Sequence, residues 1–131
     1  MATEVKAHIK RQHYHVDIEA GKNTLVADEP IDHGGGEEGF NPYQLLLASL
    51  GACTSATLRM YADRKGMNLD EVKVNLTLEC DDENNVTRIG RVIQLIGNLT
   101  DEEKARLHVI ADKCPVHKVL SNPIAINTQI Q

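Results

Sequence analysis

Aromatic side chains are scarce in this chain: one Phe, three Tyr and no Trp among 131 residues. Proteins that hold single-stranded nucleic acid stack bases on such rings, and a formal net charge of −5 repels a phosphate backbone. Nucleic-acid recognition is therefore not expected. A basic, apolar, cleavable leader is also lacking before the first strand, which makes the cytosol the expected compartment. In that reducing setting Cys53, Cys80 and Cys114 are not expected to form structural disulfides; they are core residues, metal ligands or redox thiols. The uncharged run that starts at Tyr43 is diluted by Gln44, Ser49, Thr54, Ser55 and Thr57 and ended by Arg59, short of the roughly 20 apolar residues that span a bilayer. A membrane role is not expected.

Other signatures are missing too. Gly34, Gly35, Gly36 and Gly39 precede a helix, but no Lys-Ser or Lys-Thr follows and the neighbouring Glu37 and Glu38 repel an anion, so the stretch is no phosphate cradle. No serine sits in a nucleophile elbow and no acid–His–Ser set can be placed, which leaves hydrolysis without support. Six histidines invite a metal reading, with His13 and His15 on one strand face and Cys114-x-x-His117 near a turn. No four-ligand set emerges, and neither metal nor cofactor is expected.

What is present is one long helix, NPYQLLLASLGACTSATLRMYADRKG, from Asn41 to Gly66. Asn41 caps the first backbone N–H groups and Pro42 occupies the position where a missing N–H costs nothing. Arg59, Arg64 and Lys65 suit the negative end of the helix dipole, and Gly66 can take the left-handed conformation that closes it. Apolar residues lie all round this helix rather than on one stripe, which implies burial on most faces. A single small domain hardly supplies that cover, so a soluble homodimer is expected.

The chain around the helix reads as α+β. Val5, Ala7 and Ile9, then Tyr14, Val16 and Ile18, then Thr24 to Ala27 give three strands of a meander. An acidic, glycine-rich loop, Asp28 to Gly39, is expected to be mobile. Val72, Val74, Leu76 and Leu78 alternate with polar residues in a half-buried strand, and the segment from Val86 to Ile96 returns as its hairpin partner, with Gly90 marking a bulge. Thr100 and Glu103 form a capping box for a second helix whose apolar face carries Leu107, Ile110, Ala111 and Cys114. Pro115 ends that helix and opens a short one over Val116 to Leu120. Ile124, Ile126, Thr128 and Ile130 make a last strand. One domain, 1–131, accounts for the whole.

Thiol chemistry is what the residues leave open. Cys53 lies in the long helix, where water should be scarce. Cys114 lies at a helix start, where the dipole favours a thiolate and His117 and Lys118 add positive charge when protonated or nearby. The plain alternative is that both are small core residues. Cys80, in a polar turn beside Asp81 and Asp82, has its thiolate disfavoured and is a bystander.

The Asn41-Pro42 start, Cys53 within NPYQLLLASLGACTSATLRMYADRKG, and Cys114-Pro115-Val116 within ADKCPVHKVL together resemble the OsmC/Ohr superfamily, most of all its YhfA-like branch. The resemblance covers nearly the whole chain. It implies an intertwined α+β homodimer with the long helices central and two sites at the subunit interface. In the peroxidase members, antioxidant proteins of the oxidative stress response, the cysteine matching Cys53 attacks an organic hydroperoxide to give a sulfenic acid. The cysteine matching Cys114 resolves it as a disulfide, and a dithiol reduces the pair. The pattern departs from that of the peroxidase members at two positions. Tyr43 stands where they carry a catalytic Glu, and their activating loop arginine falls near His33, Arg11 being the only arginine before the helix. His33, Glu37 or Glu38 are candidates to substitute from the loop, and Tyr43 to donate a hydrogen bond.

Two functions of different class follow. One is thiol-dependent reduction of organic hydroperoxides by Cys53 and Cys114, with Tyr43, Glu38 and His33 as substrate-binding or activating groups. The other is a non-catalytic protein of the same fold that binds an apolar or acyl ligand, its thiols acting as slow redox sensors. A third reading, a scaffold with no small ligand, would use the acidic loop for docking.

Overall fold

Alternating apolar and polar residues near the N-terminus fold as an antiparallel meander: β1 (Lys6–Ile9), β2 (Val16–Ala20) and β3 (Asn23–Ala27). Ala7 pairs with Ile18 and Ile18 with Leu25, which keeps the apolar positions on one face because the side-chain period is two. The structure, a computed structural model, describes residues 2–131. By internal contacts the chain divides into two compact units that meet between Leu46 and Leu47.

In the first unit the loop after β3 is organised rather than loose. Asp28 is 2 % exposed, and its carboxylate accepts the backbone N–H of Tyr14 at 3.1 Å, Glu29 at 2.8 Å, Gly36 at 3.3 Å and Glu38 at 3.2 Å. Burial pushes this carboxyl up, but the N–H groups of Glu38, Glu29, Tyr14 and Gly36 outweigh it and hold it below the usual Asp value. A single 3-10 turn, Ile31–His33, sits inside the loop. The glycines serve close approach: a side chain at Gly35 would run into the Glu29 carbonyl. The mobile loop expected from composition is thus stitched around one buried acid.

The long helix α1 runs over Pro42–Lys65. Asn41 and Gln44 cap its start reciprocally, Gln44 N–H donating to Asn41 Oδ1 at 2.8 Å and Asn41 N–H to Gln44 Oε1 at 2.9 Å. Gly66, at φ +65°, ends it, with Met67 N–H bonded to the Ala62 carbonyl at 2.9 Å.

In the second unit, β4 (Asn68–Asp81) and β5 (Val86–Asn98) form one long antiparallel hairpin. The register slips between Leu69 and Glu71, not at Gly90 as expected. Gly90 pairs in register with Thr77, and a Cβ there would meet Thr77 Oγ1 at 2.6 Å, so the glycine serves cross-strand clearance instead. Helix α2 (Asp101–Ala111) starts at the expected capping box, with Glu103 N–H on Thr100 Oγ1 at 3.1 Å and Thr100 N–H on Glu103 Oε1 at 2.9 Å. Helix α3 (Pro115–Ser121) follows with Cys114 as its N-cap. The core joins Leu58, Tyr61 and Ala62 of α1 to Leu69, Leu107, Ile110 and Ala111, with Val72, Ile93 and Leu95 of the hairpin packed against it.

Within the second unit α1 buries one stripe, Leu50, Thr54, Leu58, Tyr61 and Ala62, while Ala48, Ala52, Ala56 and Met60 are exposed; as expected, one chain does not cover the helix on all sides. One expectation needs correction, the C-terminal strand: no strand follows α3 among the described residues. Ile126 and Ile130 are 83 % and 94 % exposed, because the alternating segment has no strand partner among the described residues to complete a ladder.

Candidate functional site

The site is assembled by α1, β5 and the junction between α2 and α3. Cys53 is half-buried on α1, and Thr54 beside it is fully buried. Thr54 Oγ1 bonds the Leu50 carbonyl one turn back at 2.7 Å and accepts from Arg91 Nη1 at 3.0 Å. Arg91 projects from β5 with a side chain only 11 % exposed. Its Nη2 reaches Asp112 Oδ1 at 2.9 Å and His117 Nδ1 at 3.0 Å. A guanidinium only donates, so Nδ1 is the acceptor and the ring proton lies on Nε2. Arg91 thus brings to this junction a positive charge that the sequence reading, centred on His117 and Lys118, did not include.

Cys114 has no exposed surface. Its sulfur accepts the His117 N–H at 3.5 Å. Burial pushes the Cys114 thiol up; the bonds from Cys53, His117, Val116 and Thr54 together pull it below its ordinary value. Cys53 thus neighbours Cys114, the other cysteine singled out in the sequence. Beside them lies a cavity of about 600 Å³ lined by Leu50, Ile89, Arg91, Ile93, His108, Asp112, His117 and Leu120, among others. Neither cysteine lines it.

The remaining candidates belong to the first unit. His33 lies in the 3-10 turn, its side chain 68 % exposed and 4.0 Å from Asp32. Glu38 is engaged by His15 Nδ1 at 3.2 Å and by Gln12 Nε2 at 3.2 Å. Tyr43, in the first turn of α1, is 61 % exposed. His13 stacks on Tyr14, and both His13 and His15 precede β2 rather than lie on a strand. His15, Asp28 and Glu38 approach one another closely enough to suggest a metal set, but the Asp28 oxygens are occupied by backbone N–H groups. Cys80 is exposed and pairs with Thr87 near the hairpin tip.

Arg91 and Asp112 were missed in the sequence. A usable signal existed: Ile89, Arg91, Ile93 and Leu95 share the inward face of β5, and a charge on the apolar face of a strand has to be paired.

The profile of the OsmC-like protein family matches residues 34–129. No curated protein sequence matches the chain significantly. Among solved structures, the OsmC-like protein from Mycoplasma pneumoniae superposes with a TM-score of 0.78 at 21% identity, covering 92% of this chain and 87% of that one. An organic hydroperoxide resistance protein OsmC from Legionella pneumophila gives 0.66 at 25% identity, covering 92% and 90%. The organic hydroperoxide resistance protein OhrB of Bacillus subtilis gives 0.63 at 26% identity, covering 92% and 91%. No helix is long and apolar enough to cross a membrane among the described residues. The family match spans both compact units, and on it this chain belongs to the OsmC-like protein family.

Proposed function

We propose that the protein reduces organic hydroperoxides through Cys53 and Cys114. What supports this reading is that Cys53, half-buried on α1, neighbours the buried Cys114, in a chain of the OsmC-like protein family that is similar to two organic hydroperoxide resistance proteins. A Cys53 thiolate attacks one peroxide oxygen: the S–O bond forms, the O–O bond breaks, and the alkoxide leaves to take a proton. Cys114 then attacks the sulfenic sulfur, forming a disulfide and releasing the second oxygen as hydroxide. A dithiol returns both sulfurs to the reduced state. No cofactor enters, and the reaction as written needs none of Tyr43, Glu38 or His33.

The working unit is a homodimer in the cytosol. Supporting it are the exposed Ala48, Ala52, Ala56 and Met60 on α1 and the exposed isoleucines of the C-terminal segment. Both are apolar surfaces of the kind a second copy covers.

The test is consumption of cumene hydroperoxide with dihydrolipoamide as reductant. Turnover in the parent, abolished by Cys53→Ser, supports the reading; no consumption by the parent contradicts it. One observation favours a second reading, an apolar-ligand protein with slow redox thiols: the cavity of about 600 Å³ is not lined by either cysteine. An inactive parent that binds an alkyl or acyl compound with Leu50 and Ile89 in the contact surface would establish it.

A further inference from the structure

The cavity of about 600 Å³ beside α1 contains a polar group that a purely apolar ligand would leave unsatisfied. Its apolar lining comes from Leu50 of α1, Ile89 and Ile93 of β5 and Leu120 of α3, all buried or half-buried. Between the two isoleucines, on the same face of the strand, stands Arg91, its side chain only 11 % exposed. We infer that this cavity binds an amphipathic carboxylate, with an alkyl chain on the four apolar side chains and the carboxylate head on Arg91 and His117. The inference goes beyond peroxide reduction and does not rest on it, because neither cysteine lines the cavity.

The donors at the polar end decide the head group. A guanidinium carries five N–H groups. One on Nη1 goes to Thr54 Oγ1 at 3.0 Å, and the two on Nη2 go to Asp112 Oδ1 at 2.9 Å and His117 Nδ1 at 3.0 Å. Nε–H and the second Nη1–H have no acceptor among the described residues. With Nδ1 occupied, His117 carries its ring proton on Nε2, and that N–H has no acceptor among the described residues either. Arg91 and His117 both line the cavity. A hydrocarbon that filled it would strip water from these N–H groups and offer no acceptor in return, which is most costly for a charged donor. An ionised carboxylate accepts only, and its charge is opposite to that of Arg91.

Asp112 also lines the cavity and has the wrong sign for this ligand. Its Oδ1 is already engaged by Arg91, and its side chain is 62 % exposed. Water therefore screens the acid more than the buried base. An ammonium head would suit Asp112 but would meet the guanidinium on the buried side. The volume is in the range of pockets that take small organic molecules.

The experiment is a nuclear magnetic resonance titration of the full chain with octanoate, octanol and octylammonium, which share an alkyl chain and differ in the head. The inference expects octanoate to bind about tenfold more tightly than octanol, the margin that a charge-assisted hydrogen bond supplies, and octylammonium to bind most weakly. Octanoate should shift the Arg91 Nε–H signal together with the methyl signals of Ile89 and Ile93. Arg91→Gln should remove the margin and leave octanol affinity unchanged, Arg91→Lys should restore part of it, and Leu50→Ser should weaken both ligands alike. If Arg91→Gln does not fold, as judged by circular dichroism, the head selectivity and the Nε–H shift of the parent decide. Octanoate that binds no better than octanol, that shifts none of these signals, or whose margin survives Arg91→Gln overturns the inference. Selective octanoate binding by a protein that leaves cumene hydroperoxide unreduced upholds the site and contradicts the peroxidase reading alone.

Discussion

Arg91 Nη1 lies 3.0 Å from Thr54 Oγ1, which ties the hairpin to the long helix one residue beyond Cys53. Peroxidase relatives were expected to activate their cysteine from a loop arginine and a helix-start glutamate, and this chain has Tyr43 and the neighbourhood of His33 there. A cation nonetheless reaches the cysteine junction, from a strand on the C-terminal side of the helix.

Leu58 is fully buried and central to the core of the second unit. Leu58→Ala removes three carbons and leaves a cavity, at a cost of about 2–5 kcal/mol. Urea unfolding should show the midpoint fall with the slope unchanged; a loss under about 1 kcal/mol would mean that α1 is not packed as described.

Asp28 organises the loop through backbone N–H groups. Its folded-state pKa is lowered, so its contribution to stability is present above the ordinary Asp value and is lost as pH falls through the folded value. Asp28→Asn should lower the melting temperature at neutral pH and open the segment from Glu29 to Gly39 to proteolysis. Equal cleavage rates in parent and variant would refute this role.

His15 bridges Asp17 and Glu38, at 3.2 Å each. The Asp17 bond raises its pKa most, burial opposes, and Glu38 adds to the rise. The sign is opposite to that of Asp28: the stabilisation is complete below the unfolded value of about 6.5 and is lost as pH climbs through the folded value. His15→Gln should flatten the melting temperature across that window. An identical pH slope in the variant would show that the clasp contributes nothing.

The exposed face of α1 tests the dimer. Ala56→Glu should give a monomer by sedimentation, because a carboxylate on a packed small-residue face is costly to bury. A parent that already sediments as a monomer contradicts the homodimer.

Local signals made most elements legible. The Asn41 cap, the Thr100 and Glu103 box, Pro115 and the alternation along β4 each act within a few residues, and the structure has helix or strand where they point. Long-range pairing was less so. Ile124 to Ile130 carries a strand pattern but forms no strand here, since alternation says which face is apolar and not which chain supplies the neighbouring edge. At the site, Cys53, Cys114 and His117 were visible from their types. Arg91 was not, because the family resemblance points to an arginine in the loop before the helix, whereas this one lies on the apolar face of β5 and is paired by residues distant in sequence.

The central claim is that Cys53 and Cys114 act as a pair on a hydroperoxide. The most direct measurement is intact mass of the reduced protein after brief exposure to stoichiometric cumene hydroperoxide, with Cys114→Ser alongside. The account expects the parent to lose two hydrogens, and the variant to gain one oxygen on Cys53. Masses that stay unchanged in both would contradict it.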